Sequence, residues 1–462
     1  MKQDSPRDID EVVMALVKDP ERAYVVGGAV RDELLAEMGR ATQDHADRDY
    51  VVTGVDVDDL LGRLRSYGRA ELVGSAFGVI KFVYAGATAD VALPRRETST
   101  GTAHRAFAVQ SSPDIGMEED LGRRDFTVNM LARDLRSGEI IDPFDGRADL
   151  HAGRLQIVKR RAFEEDPLRI LRGAQLAARF ALTPTREAAE AMQAAGGLIR
   201  SVAPERMAYE LTKLLTLSSR PSFGFEILRK SEALEHVLPE LLEGWGVWQN
   251  DFHAYTVYYH SLACCDAAPQ SLVPRLAALL HDVGKPRTKD GDHFYRHEQV
   301  GAALAREALV RLRFGSDVVE RVCRLVERHM YVADDGLSDA AVRRFVRRIG
   351  PQHLEDLFQL RAADIAGSGK PRRDEGSNER FERRVWDLLN APHVLGLSAL
   401  AIDGNDVVEL MRVQGMVRPD FRGDARVGAA LQHCLEQVLD DPVKNEPAVL
   451  KRVVKGYLAS TT

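Results

Sequence analysis

The sequence predicts an α+β head followed by an all-helical remainder. Short apolar, β-branched runs mixed with helical patterns fill about the first 150 residues. Beyond Val158 these runs stop, and apolar residues recur at three- and four-residue spacing. The chain is also rich in Ala, Leu, Arg and Glu, with aromatics at only 6%, a composition that favours helix.

Residues 1–22 read as a short acidic amphipathic helix and a loop. Residues 23–26 (AYVV) read as a buried strand, Gly27 and Gly28 as a turn, and AVRDELLAEM as a helix. Further strands are expected at 49–53 (DYVVT), 79–84 (VIKFVY) and 89–93 (ADVAL). Helix is expected from Pro167 to about Leu217, broken near Gly196 and Gly197. Helices separated by Gly and Pro continue over 220–365. The Gly/Ser-rich polar stretch 366–384 reads as a linker, and the remaining residues as helix. The resulting divisions are 1–158, 159–219, 220–375 and 376–462, in keeping with the domain count that 462 residues suggest.

With 45% hydrophobic and 29% charged residues, global disorder is excluded. The net charge of −7 weighs mildly against a nucleic-acid partner but leaves room for local basic faces. Four cysteines (Cys264, Cys265, Cys323, Cys434) without a CxxC argue against a disulfide framework or a thiolate zinc site. No apolar leader or membrane-length run is present, so no membrane partner is expected and a reducing cytoplasm is the expected location. Oligomeric state is not legible.

The first chemical pattern is VVGGAVRD followed by DRDYVV. Glycines between a strand and a helix permit close backbone approach, and the free N–H groups that open the helix favour an anion such as a triphosphate. Gly28 and Arg31 are the candidate contacts; a strain-relieving turn explains the glycines equally well. Asp47 and Asp49 sit two apart at a strand start, so both project to one face. Adjacent carboxylates repel unless a cation lies between them, and Mg²⁺ with substrate phosphates suits that position. A solvated acidic loop is the other reading. Asp90 is a third metal ligand or a strand-edge charge.

GGAVRD…DRD resembles the head of class II tRNA nucleotidyltransferases, within the polymerase-β-like superfamily. The resemblance continues, in family order, through EEDLGRRDFTVNMLA (118–132), IIDPFDGRADLHAGRLQIV (140–158), FEEDPLRILRGAQLAARF (163–180) and PERMAYELTKLL (204–215). It implies a mixed-sheet nucleotidyltransferase head and a helical neck that reads the incoming base. EDPLR is then the protein template. Asp166 accepts from the exocyclic amine of C or A, and Arg169 donates to the ring nitrogen. By the same resemblance Arg172 and Arg124 contact the nucleotide and Asp125 helps organise the site. Asp166 before Pro167 is also an ordinary helix start. Gln175 stands where some relatives carry a further arginine. The polar segment between Glu97 and Asp120 reads as a mobile loop, which in this family is associated with the switch from C to A addition.

His260, the His281–Asp282 pair in LLHDVGKP, and Asp364 match in order the four metal ligands of the HD phosphohydrolase superfamily. Imidazole and carboxylate suit Mn²⁺, Ni²⁺ or another divalent metal, and such a site supports phosphoester hydrolysis. His297 and His329 are candidates for a second metal or a phosphate, and Lys285 for a phosphate. His253 receives no role. The tail resembles the C-terminal region of HD-containing nucleotidyltransferases, which implies contact with the tRNA elbow through residues such as Arg412, Arg418, Arg422, Arg426 and Lys444.

The expectation is therefore Mg²⁺-dependent CCA addition to tRNA from CTP and ATP, with a secondary HD hydrolase or structural metal site. The alternatives are an A-adding enzyme or poly(A) polymerase, and a phosphohydrolase whose head only binds RNA.

Overall fold

β-Branched and aromatic runs become strands, since their stiff side chains pack well on a pleated surface. β1 spans Arg22–Val26, β2 Arg48–Thr53, β3 Arg69–Val73, β4 Val79–Tyr84 and β5 Ala87–Ala92. β6 (Arg95–Ser99), β7 (Phe107–Ser111), β8 (Ala132–Asp134) and β9 (Ile140–Ile141) follow. The structure, a computed structural model, describes residues 8–40, 48–73, 78–99, 107–334, 336–371, 376–390 and 396–461.

Seven strands form one mixed sheet in the order β3-β4-β5-β2-β1-β8-β9. All neighbours are antiparallel except β2 and β5, which run parallel with Asp49 beside Asp90. Val25, Val26, Val52, Ile80, Phe82 and Val91 are buried in its core.

Three local readings need correction. Part of the expected loop between Glu97 and Asp120 is ordered: β6 and β7 pair antiparallel, and Met117–Leu121 is helical. Short ladders persist beyond Val158, with Arg154–Leu155 pairing Thr183–Pro184 and Lys289–Asp290 pairing His293–Phe294. The expected linker 366–384 is partly helix, because Phe381 and Val385 bury one face of Ser377–Asn390 at helical spacing.

The chain divides into two compact units. The first takes in the chain to Leu242 with Val310–Phe314; the second takes in Glu243–Leu309 and everything from Gly315. In the first, the Leu168–Phe180 helix packs against Pro204–Leu217 and Pro221–Lys230. In the second, Leu272–Leu280 is the central helix. Val273 through Leu280 are all buried, Arg275 included, as in a helix enclosed on all sides. Val257–Ala267, Ser316–Arg328 and Leu354–Gly367 pack around it.

The tail helices Gly404–Val413, Ala425–Asp440 and Pro447–Thr461 share a core that includes Val407, Met411, Cys434, Leu450 and Val454. Buried Arg343 donates to the carbonyls of Leu439 and Asp440, satisfying the end of one of these helices. Among the described residues, no helix is long and apolar enough to cross a membrane.

Candidate functional sites

β1 runs directly into the glycine pair. Gly27 has φ of +74°, and a Cβ there would lie 2.5 Å from Arg124 Nη1. The positive φ favours glycine, and a Cβ would also push the Arg124 guanidinium aside. The Gly28–Glu37 helix then starts without a side-chain cap, so its first N–H groups face outward as an anion seat. Asp49 and Asp90, both exposed, stand side by side on β2 and β5, strands about 4.8 Å apart. Two such carboxylates suit a divalent cation. Asp47, the other predicted ligand, lies outside the described residues.

A cavity of about 430 Å³ opens at this point. Five cationic side chains line it (Arg31, Arg124, Arg172, Arg179, Lys213) against three carboxylates (Asp49, Asp125, Glu210), a balance suited to a polyanion.

The charges are wired together. Buried Arg31 donates from Nε to Asp32 at 2.8 Å and from Nη1 to Asn129 Oδ1 at 2.5 Å, and its guanidinium lies 4.2 Å from the centre of the Phe180 ring. Asn129 passes the connection on by donating to Asp125 Oδ1 at 3.1 Å. Asp125 Oδ2 pairs with Arg172 Nε at 3.2 Å. Burial pushes the Asp125 carboxyl up, but the Arg172 charge and the Asn129 hydrogen bond outweigh it and hold it below the usual carboxylate range. Burial raises Glu210 against the opposing pull of Lys213 and Arg172. Arg124 feels both Asp120 and Asp49.

The predicted residues on the Leu168–Phe180 helix divide. Arg172 faces the cavity, as do Gln175 and Arg179, whereas Asp166 and Arg169 are not among its lining residues. The Leu168–Phe180 helix has Pro167 rather than Asp166 at its N-cap; Asp166 accepts from the Leu168 N–H at 3.3 Å and pairs with Arg206 at 3.2 Å. Arg169 donates to the carbonyls of Ala162 at 3.3 Å and Arg123 at 3.0 Å.

The second unit gathers the predicted metal ligands. His281 and Asp282 leave the C-terminal end of the central helix, and His329 leaves that of Ser316–Arg328. Both ends aim partial negative charge at the cluster. Each of four histidines places Nδ1 on a backbone carbonyl: His260 on Gly367 (3.1 Å), His281 on Ala278 (2.8 Å), His297 on Phe294 (2.8 Å) and His329 on Val326 (2.7 Å). A carbonyl only accepts, so every Nδ1 carries hydrogen, and Nε2 is the ring atom that each imidazole can offer to a metal.

These Nε2 atoms face one another, at 3.2 Å for His260 and His281 and 3.3 Å for His297 and His329. Asp282 lies between the two pairs. Its Oδ2 is 3.4 Å from His260 and 3.2 Å from His281, while its Oδ1 is 3.4 Å from His297 and 3.8 Å from His329. Asp364 Oδ1 is 3.2 Å from His260 Nε2. Buried Nε2 atoms and carboxylates converging in this way call for cations, and the donor set fits first-row divalent metals.

Lys285 Nζ sits 2.6 Å from Asp282 Oδ2. Burial pushes the Asp282 carboxyl up, but His281 and Lys285 overcome it and hold it well below its ordinary value. Burial takes His329 down to about 3. His253, edge-on to His260 at 4.6 Å, lines a cavity of about 670 Å³ beside the cluster. Lys285, Arg361, Lys370, Phe294 and Tyr295 also line it.

Known families match segments of both units. The family described as "Poly A polymerase head domain" matches residues 23–156. "Probable RNA and SrmB- binding site of polymerase A" matches 181–244, and "HD domain" matches 251–362. A multifunctional CCA protein of Laribacter hongkongensis is 34% identical over 384 residues, covering 80% of this chain and 91% of its own. One from Cupriavidus necator is 36% identical over 418 residues, covering 85% and 97%.

The chain belongs to the multifunctional CCA protein family.

Its fold is that of the CCA-adding enzymes. The Bacillus stearothermophilus CCA-adding enzyme in complex with CTP superposes with a TM-score of 0.68 at 21% identity, covering 98% of this chain and 97% of that one. A tRNA nucleotidyltransferase complexed with a primer tRNA and an incoming ATP analog gives 0.53 at 21% identity, covering 82% and 98%.

Within this family member, sequence reasoning missed Asn129, Arg179, Tyr209, Glu210 and Lys213 as cavity residues. Asn129 lies inside RRDFTVNM, and the last three lie inside PERMAYELTKLL. Both motifs were legible, but nothing in one sequence separates their cavity-facing members from their packing members.

Proposed function

We propose that this protein adds CCA to the 3′ end of tRNA, using CTP and ATP. The observation that carries this is the cavity at Gly28, where an uncapped helix start, an acidic strand position and a cationic wall meet in a chain of this family. Gly28 and Arg31 seat phosphates, and Arg124 and Arg172 steady the sugar and base side. Asp49 and Asp47 hold Mg²⁺, with Asp90 beside Asp49 as a third carboxylate. The chemistry that Mg²⁺ supplies there, when bound, is charge neutralisation at the attacking 3′-hydroxyl and the triphosphate, with pyrophosphate released.

Base choice falls to Asp166 and Arg169. To reach a base, Asp166 must leave Arg206 and Arg169 must leave its two carbonyls, so nucleotide entry exchanges internal contacts for contacts with C or A. Residues 1–158 form the transferring head, 159–219 the reading neck, 220–375 the HD body and 376–462 a tail that contacts tRNA.

The test offers tRNA ending before CCA with each nucleotide singly. CTP alone should add C, and ATP should add A only to tRNA already ending in CC. No incorporation from CTP eliminates CCA addition in favour of A-adding or poly(A) polymerase activity.

A second activity has its own observation, the His–Asp cluster opening on a cavity with Lys285, Arg361 and Lys370. His260, His281, Asp282 and Asp364 hold a divalent metal such as Mn²⁺ or Ni²⁺, and His297 and His329 flank a second position. This unit hydrolyses 2′,3′-cyclic or terminal phosphates. Ring opening of a 2′,3′-cyclic phosphate to the monoester, or phosphate release from a terminal phosphate, that survives His281→Ala would refute it.

A further inference from the structure

One buried nucleophile beside the His–Asp cluster has no part in the four-ligand pattern. Cys264 follows His260 by one helical turn on Val257–Ala267, so both side chains share a face. Its Sγ is fully buried and lies 3.5 Å from each ring nitrogen of His260. One donor atom from each of His260, Cys264, His281 and Asp364 falls within 4.8 Å of the others.

The packing brings the sulfur there. Gly367, whose carbonyl anchors His260 Nδ1, comes so close that a Cβ on it would lie 2.4 Å from Cys264 Sγ. Independently, the Nε2 atoms of His260 and His281 and the buried oxygens of Asp282 already point at a missing cation. Because Sγ is equally far from Nδ1 and Nε2 it lies beside the ring rather than on the Nε2 lone pair, so ligation requires the single Cys264 side-chain torsion to turn toward the cluster.

We propose that Cys264 is an additional, sulfur donor to the metal position formed by His260, His281, Asp282 and Asp364, and that it biases this position toward thiophilic cations. This rests on the metal-binding reading of the cluster. As the sulfur–metal bond forms, the thiol proton leaves to solvent. The other three cysteines lie outside the cluster. The neighbouring position, built from Asp282, His297 and His329, has no sulfur. The two positions therefore differ in kind: a soft donor draws Zn²⁺, Co²⁺ or Ni²⁺ to the first and discriminates against Mg²⁺, while the second stays imidazole–carboxylate.

The test titrates Co²⁺ into the metal-stripped full chain and follows both absorption and bound metal. A sulfur-to-cobalt charge-transfer band should grow in the near ultraviolet as cobalt binds. Cys264→Ser should still bind cobalt by elemental analysis but lose the band, and Cys265→Ser should keep it. Selectivity for Zn²⁺ over Mg²⁺ should fall in Cys264→Ser by roughly tenfold or more.

Stoichiometric cobalt in the unaltered protein without the band overturns the proposal even if the variant fails to fold. A band that survives Cys264→Ser overturns it too. Both of those outcomes leave the metal site standing. Failure to bind cobalt at all overturns the metal reading and this inference together.

Discussion

In the cavity of the first unit the carboxylates already have cationic neighbours: Arg172 for Asp125, Lys213 for Glu210, Arg124 for Asp49. Its cations are held in internal pairs, Arg31 also with Asp32 and Arg124 also with Asp120, which an incoming polyanion can compete for. In the second unit Asp282 also has a cation, Lys285 Nζ at 2.6 Å, but four imidazole Nε2 atoms converge on the same carboxylate, so metal-type donors gather at one point instead of forming separate ion pairs. The contrast explains how one chain holds two kinds of site. A nucleotide site can be assembled in advance from internal ion pairs that later trade partners. A metal site of this type stays incomplete until its ion arrives.

The sharpest test of that contrast is Asp49→Asn. It should cut single-turnover CMP incorporation by on the order of 10³-fold, several kcal/mol of transition-state stabilisation, and leave phosphate release by the second unit unchanged. Undiminished incorporation would remove Asp49 from the metal-holding role.

The mirror experiment is His281→Ala. Cobalt affinity should drop by at least roughly 100-fold, beyond the effect typical of supporting residues, and the thermal stabilisation that metal gives should vanish with it. Calorimetry with and without metal reads both. Incorporation should not change; a matching fall would erase the division between the sites.

Asn129→Ala removes the link between Arg31 and Asp125. Hydrogen bonds to charged groups contribute about 1.5–3 kcal/mol, so denaturant unfolding should show a loss of that order, along with a raised KM for CTP. Unchanged stability would mean that the preassembled chain of charges is not what holds the cavity. Arg206→Ala should have the smallest effect. Its pair with Asp166 is more than half exposed on the arginine side, so stability should move by less than about 1 kcal/mol. An increased incorporation rate would support the view that Asp166 must leave Arg206 to read a base.

Much of this was visible in the amino acids. β1, β2, β4 and β5 announce themselves through β-branched and aromatic runs, and β4 matches its predicted bounds. β3 (RAELV) went unread because it has one buried residue and little β-forming character. β8 is three residues long and owes its place to pairing with β1.

The His281–Asp282 pair in the second unit could be read as a candidate because His–Asp adjacency is a local signal. The sharing of Asp282 between two histidine pairs was not, since it needs helices far apart in sequence to meet. Asp166 and Arg169 were legible as a motif, but their present partners, Arg206 and two backbone carbonyls, depend on tertiary packing. The cysteine spacing argued against a thiolate zinc site, and Cys264 comes beside the His–Asp cluster only through tertiary packing against Gly367.

The helix Leu272–Leu280 carries one more lesson. Because it is enclosed on every side and ends in His281–Asp282, the ligand pair takes its coordinates from the interior rather than from a surface turn. Trimming Leu276 or Leu279 by a few carbons would open a void whose relaxation tilts the donors. Drift on the outside of this unit should be tolerated, while the aliphatic stem beneath the ligands stays under the same constraint as the ligands themselves.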